Sequence, residues 1–308
     1  MAVLLLFLGL PCSGEESVRH ILTRDGRTLD LRVNTQFEPA MQQNLLEWVD
    51  FIAATLAQVY GHWPRREWQV VVAPISSMGS DPIPWAQVHR GKIDQVEFFT
   101  VPGTTTEDLK RAWTGYHELA HLLLPYRGWG DVWFSEGLAS YYQNLLQVRA
   151  GILTEQQMWQ KLYDGYLRGR ADTRFDGREL QSVSDELRRE GGFMRVYWSG
   201  AWYFLAADAQ LRQRSGGKHT LDSALALLNR CCADQSLSVA AMVRKLDELN
   251  QVVLFQPLYD EVTVSTRIPP YAPIFASLGI AISNGKVVLQ ADGPGAGLRK
   301  QLVASQGL

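Results

Sequence analysis

Leu45, Leu46, Val49, Ile52, Ala53, Leu56, Val59 and Tyr60 recur at helical spacing, which predicts an amphipathic helix from about Pro39 to Tyr60. Ahead of it, Ile21 to Val33 carries alternating apolar residues on either side of Asp25-Gly26, the signature of a hairpin. Beyond it, Trp68 to Ala73 and Val96 to Val101 are short β-rich runs bounded by Pro74 and Pro102, expected to pair in a small sheet packed on helices. The intervening Ser76 to Lys92 is rich in Pro, Gly and Ser and reads as a loop lining a cleft.

From Glu107 onward the pattern turns helical. Thr104, Thr105 and Thr106 precede Glu107 and Asp108 as capping hydroxyls and first-turn acids, and Pro125 stops that helix after Leu122-Leu123-Leu124. A loop with Gly128 and Gly130 leads to a second amphipathic segment, Phe134 to Arg149. Thr154 to Gln157 is a capping box for a helix through Leu167; Phe193 to Arg214 is a long helix ending at Gly216-Gly217; Thr220 caps the next, and Ser238 to Asn250 is another. Asn284-Gly285 signals a late hairpin, and Ala291 to Leu308 has no strong period, so a loosely held tail is expected over 291–308. No internal repeat or linker appears. The fold class is therefore α+β, strands first and a mainly helical second half, in one unit over residues 15–290.

Composition narrows the class without naming it. With 308 residues, 46% hydrophobic and 20% charged, the chain can bury a large core, and a net charge of -2 favours neither nucleic acid nor an anionic membrane as partner. Ala2 to Leu10 is apolar but too short to span a bilayer; with Pro11-Cys12-Ser13-Gly14 it reads as a signal peptide over residues 1–14, lacking the usual basic flank. Export, periplasmic or secreted, is the expectation. A mature chain would then keep Cys231 and Cys232, adjacent residues expected to be thiols because neighbours close only a strained ring.

The chemistry concentrates in His117-Glu118-Leu119-Ala120-His121. On a helix the two imidazoles share one face and can reach a single cation, while Glu118 points at the open coordination position. Catalytic zinc takes three protein ligands and keeps a fourth place for water, and Glu136, early in the following helix, is the natural third ligand. The layout is that of a zinc hydrolase with one Zn2+ ion. Ser140, one turn after Glu136, either supports a ligand histidine or packs; His89 is a candidate for the groove wall; Trp113, Trp129, Trp133, Trp198 and Trp202 suit core or cleft walls.

His117-Glu118-Leu119-Ala120-His121 with Trp133-Phe134-Ser135-Glu136-Gly137-Leu138-Ala139 resembles the gluzincin metallopeptidases, in the branch containing aminopeptidase N and the glycyl aminopeptidases. Val196-Tyr197-Trp198-Ser199-Gly200-Ala201 is similar to the segment whose tyrosine stabilises the transition state, although the family usually has a lysine at Ser199. The resemblance implies a thermolysin-like catalytic domain, an aminopeptidase-like reaction on peptides, Glu118 as general base and Tyr197 as oxyanion donor; by helical spacing alone Tyr197 is equally a core aromatic. The link from His121 to Glu136 is shorter than usual, and no Gly-x-Met-Glu-Asn segment supplies an amine-binding glutamate. Val88 stands where one is expected, with Asp81, Asp94 and Glu97 as substitutes, so internal cleavage competes with aminopeptidase activity. An extended peptide is expected to align on an edge strand such as Val96 to Val101. A peptide-binding pseudoenzyme and a hydrolase of non-peptide substrates are the other readings.

Overall fold

Asp25 and Gly26 take positive φ, 49° and 69°, the turn geometry that matches strand twist. They fold β1 (Ser17–Arg24) back onto β2 (Arg27–Asn34), as the Asp-Gly signal predicts. The computed structural model describes residues 16–126 and 130–304; the expected signal peptide over 1–14, Gly128, Trp129 and residues 305–308 lie outside them. Helix α1 (Pro39–Ala57) follows, and β3 (Glu67–Pro74), β4 (Trp85–His89) and β5 (Asp94–Thr100) complete a five-stranded sheet in the order β1-β2-β3-β5-β4.

Side chains alternate between the two faces of a strand, so register decides which residues meet the helices. Leu31, Val70 and Val96 lie side by side across β2, β3 and β5, and Val33, Val72 and Phe98 form the next row. This face is buried under α1, where the Trp48 ring meets Phe98 edge-on at 5.0 Å. Gln95, Glu97 and Phe99 therefore look to the opposite side. Two expectations are corrected here. The Pro-rich segment is not all loop, because Trp85 to His89 pairs antiparallel with β5; its prolines and glycines flank the pairing residues and leave their N–H groups free to bond. β5 is consequently interior, and β4 is the edge strand.

The remaining elements are α2 (Thr106–Arg111), α3 (Trp113–His121), α4 (Val132–Arg149), α5 (Glu155–Ala171), α6 (Leu180–Asp185), α7 (Leu187–Glu190), α8 (Phe193–Ser215), α9 (Leu221–Cys232), α10 (Val239–Asn250), α11 (Phe255–Thr263), α12 (Ala272–Ser277), the hairpin β6 (Ile280–Ser283) and β7 (Lys286–Leu289), and α13 (Pro294–Val303). The expected α+β arrangement holds, with capping boxes at Thr154 and Thr220 and a left-handed Gly216 ending α8. The helix expected to begin at Glu107 is broken at Ala112, whose extended backbone separates α2 from α3. Tyr116 Oη donates to the Lys110 carbonyl at 2.8 Å, satisfying an acceptor freed by the break.

Helices α4 and α8 touch backbone to backbone. A Cβ on Gly137 would lie 2.3 Å from the Gly200 backbone, and one on Gly200 would lie 2.0 Å from the Trp133 carbonyl oxygen. Only glycine permits this approach at both positions. Beneath it, Tyr141 and Tyr142 donate to the buried Asp208 and Asp222, which are paired with Arg212 and Arg149 at 2.8 Å each.

The expected loose tail is largely a docked helix. Arg299 of α13 is buried, donates to the carbonyls of Leu278, Gly279 and Gln290, and pairs with Glu155 at 2.7 Å, so polar anchoring substitutes for the absent apolar period. Cys231 and Cys232, expected as thiols, are joined as a disulfide at the end of α9, where the chain leaves the helix and the two side chains can converge.

The glycine contact gives a stability test. Gly200→Ala should lower unfolding free energy by about 1–3 kcal/mol or more, the usual cost of overpacking, as read by urea denaturation. Gly297→Ala, whose added methyl meets nothing, should leave it unchanged or slightly raised. An unshifted midpoint for Gly200→Ala would show that α4 and α8 have room to part.

Candidate metal centre

Helix α3 is short and almost wholly buried, so its orientation is set by what it packs on. Gly115 lets it lie against α1, where an added Cβ would come 3.0 Å from Trp48. His117 and His121 consequently face α4, with their rings 5.0 Å apart and perpendicular. Glu136 reaches across from α4: one carboxylate oxygen lies 3.2 Å from His117 Nε2 and the other 3.8 Å from His121 Nε2. These three residues offer ligand atoms within 4.8 Å of one another and form a group able to hold a metal ion.

The far side of each imidazole is also held. His117 Nδ1 pairs with Gln143 Oε1 at 2.8 Å; because an amide oxygen only accepts, the proton sits on Nδ1 and the Nε2 lone pair is left for a cation. His121 Nδ1 pairs with Ser135 Oγ at 2.9 Å. Ser140, the expected support, contacts neither ring; its carbonyl accepts from Asn144. Ser135 directly precedes Glu136, and Gln143 lies two turns beyond it on the same face, a spacing that could have pointed to Gln143.

Electrostatically the centre lacks a cation. Burial alone would lower His117, but the hydrogen bond and charge of Glu136 raise it above the ordinary imidazole range. Burial drives His121 down to about 3, opposed by Glu136 and reinforced by His117. Burial would raise Glu136, yet His121, His117 and a hydrogen bond from Tyr197 hold it below the ordinary carboxyl value. Two imidazoles and a carboxylate thus share one proton where a dication would satisfy all three. Glu118, half-buried beside them, is raised by burial to about 7. The Tyr197 ring stacks on His117 at 6.2 Å, and burial followed by the Glu136 charge keeps its hydroxyl protonated.

The metal group opens on a cleft of about 730 Å³. Glu118, Tyr197, Trp113 and the whole of β4 line it, His89 included. Trp133, Trp198 and Trp202 are core residues. Ser199 is buried within α8, donating to the Arg195 carbonyl at 2.7 Å.

Sequence reasoning missed a cluster at the end of α3. Arg65 Nε and Arg90 Nη1 both bond the Asp94 carboxylate, at 2.7 and 2.9 Å, while Arg65 donates to the Leu124 carbonyl and Arg90 to that of His121. Burial would raise Asp94, but the two arginines hold it below the ordinary range. Positive charge at a helix C-terminus is favourable, and here it also fixes the backbone of a ligand histidine. No local motif announces three residues so far apart in the chain.

Residues 129–215 match the model of the M61 glycyl aminopeptidase family. Among curated proteins, none matches the sequence. The fold is shared with an aminopeptidase N family protein from Idiomarina loihiensis, at a TM-score of 0.64 and 14% identity over 87% of this chain and 50% of that one. It is shared with an M1 zinc metallopeptidase from Deinococcus radiodurans, at 0.51 and 16% over 83% and 52%. A mutant of the Deinococcus enzyme bound to a Tyr-Ser-Ala substrate gives 0.52 and 17% over 83% and 53%. The chain spans about half the length of these structures. Family match and fold together make it an aminopeptidase-like gluzincin chain, as the resemblance implies.

The outer hydrogen bonds predict a graded response. Gln143→Leu and Ser135→Ala should each weaken zinc binding by about tenfold to a hundredfold, and His121→Ala should abolish stoichiometric binding, in a competition titration against a chromophoric chelator. Wild-type affinity in Gln143→Leu would mean that the ring is oriented by packing alone.

Proposed function

We propose that the chain hydrolyses peptide bonds with one zinc ion held by His117, His121 and Glu136. The observation that carries this is the convergence of two imidazoles and a carboxylate, their outer nitrogens already held, on a cleft that Glu118 and Tyr197 also face. Zinc bound there would lower the pKa of a water and polarise a scissile carbonyl.

The protein's own groups do the rest. Glu118 accepts the water proton and passes it to the leaving amine; its half-buried carboxyl, raised by desolvation, suits a group that must take up and release a proton. A positive ion would pull that value back down. Tyr197 keeps its O–H and donates it to the oxyanion, the donor now resting on Glu136. β4 presents an unpaired edge to an extended peptide, whose backbone pairs with it while the scissile bond lies over the metal group.

The aminopeptidases among the family and fold matches support removal of an amino-terminal residue. Internal cleavage uses the same groups and differs in what holds the substrate's end. Export remains part of the proposal and rests on the apolar run Ala2 to Leu10. Among the described residues no helix is long and apolar enough to cross a membrane.

Glu118→Gln should retain zinc while lowering turnover by about a hundredfold to ten-thousandfold, which separates the base from the ligands. Combined metal analysis and kinetics check this, and joint loss of zinc and activity would reassign Glu118 to the metal shell. Tyr197→Phe should lower kcat by about a hundredfold to a thousandfold with KM little changed. An unaltered kcat would return Tyr197 to a packing role, and a wild-type chain that binds zinc but cuts nothing in a peptide library would be a binding protein.

A further inference from the structure

Resting on the peptide-hydrolase reading, we infer that the cleft takes peptides at an internal bond and makes no use of a free substrate amine. Removal of an amino-terminal residue requires a positive ammonium to sit one residue from the carbonyl under attack. An ammonium withdrawn from water without a partner is costly, so a carboxylate beyond Glu118 and Glu136 is required beside the metal group. Three acidic residues stand near β4, and the fold takes two of them away.

Glu97 looks to the sheet face opposite the buried one, where Gln87 donates to it at 2.7 Å and His89 Nε2 lies 3.1 Å away. Asp94 is on the helix side, but its side chain is 1% exposed and enclosed by Arg65 and Arg90. The helix-facing side of β4 itself is Ala86 and Val88, which pack against the core. Asp81 alone remains on the cleft wall. It precedes β4, with Oδ1 accepting from the Ile83 N–H at 3.0 Å, and the Ile83 carbonyl approaches Thr114 at the start of α3. Arg90 sits at the opposite end of β4, bonded to the His121 carbonyl, and Arg188 also lines the cleft.

A free ammonium placed beyond Val88 would therefore face a guanidinium and a metal dication with no carboxylate in reach. A neutral peptide unit at the same place meets an edge strand whose backbone can pair with it. The charge pattern selects a continuing chain over a chain end.

The test offers the zinc-loaded full chain matched peptide libraries in three forms: free amine, N-acetylated, and extended at the amino end. Acetylated and extended peptides should be cut at the same bonds as each other, with kcat/KM within about threefold of the free-amine form or above it, cut sites being read by mass spectrometry. A fall of about tenfold or more on acetylation overturns the inference, as does an Asp81→Asn variant whose KM rises for free-amine peptides alone. If no form is cut although zinc is bound, the hydrolase reading itself fails and this inference falls with it.

Discussion

Two glycines in contact set the distance on which the metal centre depends. Gly137 directly follows Glu136 and Gly200 lies one turn after Tyr197, so the point where α4 and α8 touch is also where each helix presents its functional side chain. Any larger residue there would push the helices apart by about the width of a methyl group, and the Tyr197–Glu136 hydrogen bond would be the first contact to stretch. The buried Arg–Asp–Tyr groups behind α4 keep the pair from rotating instead.

Packing this firm is needed because the centre opposes it. Glu118 and Glu136 are withdrawn from water beside imidazoles that can hold only part of the compensating charge. Desolvated acids and a shared proton are a poor substitute for a dication, so the metal-free centre is a local liability that the surrounding core sustains. Binding a cation converts the same groups into stabilising contacts. The second face of each imidazole, held by Gln143 and Ser135, limits how far the rings can turn while that exchange occurs.

Legibility in the sequence followed the range of the physics. The Asp25-Gly26 and Asn284-Gly285 turns, the Thr154 and Thr220 caps and the helical spacing of His117 and His121 are local signals, and each appears in the fold as read. β4 was illegible because five residues among prolines carry little periodicity, and only the open side of β5 makes them a strand. α13 was illegible because its anchor is one arginine reaching three carbonyls, a contact with no repeat. Ser140 was favoured over Gln143 on distance along the helix, whereas ring orientation decides which side chain meets His117.

The carboxylate of Asp94 is shared by arginines from two different segments, and each arginine also holds a carbonyl at the end of α3. No member of this trio can be exchanged on its own account. Neutralising Asp94 strands two interior cations; removing one arginine leaves a helix end with an exposed dipole and the acid half-compensated. Divergence at these positions must therefore be concerted. Wherever descendants of this chain keep the trio, the substrate-binding edge and the second histidine inherit one shared frame of reference, so mutations that reshape the cleft elsewhere can accumulate without disturbing the metal.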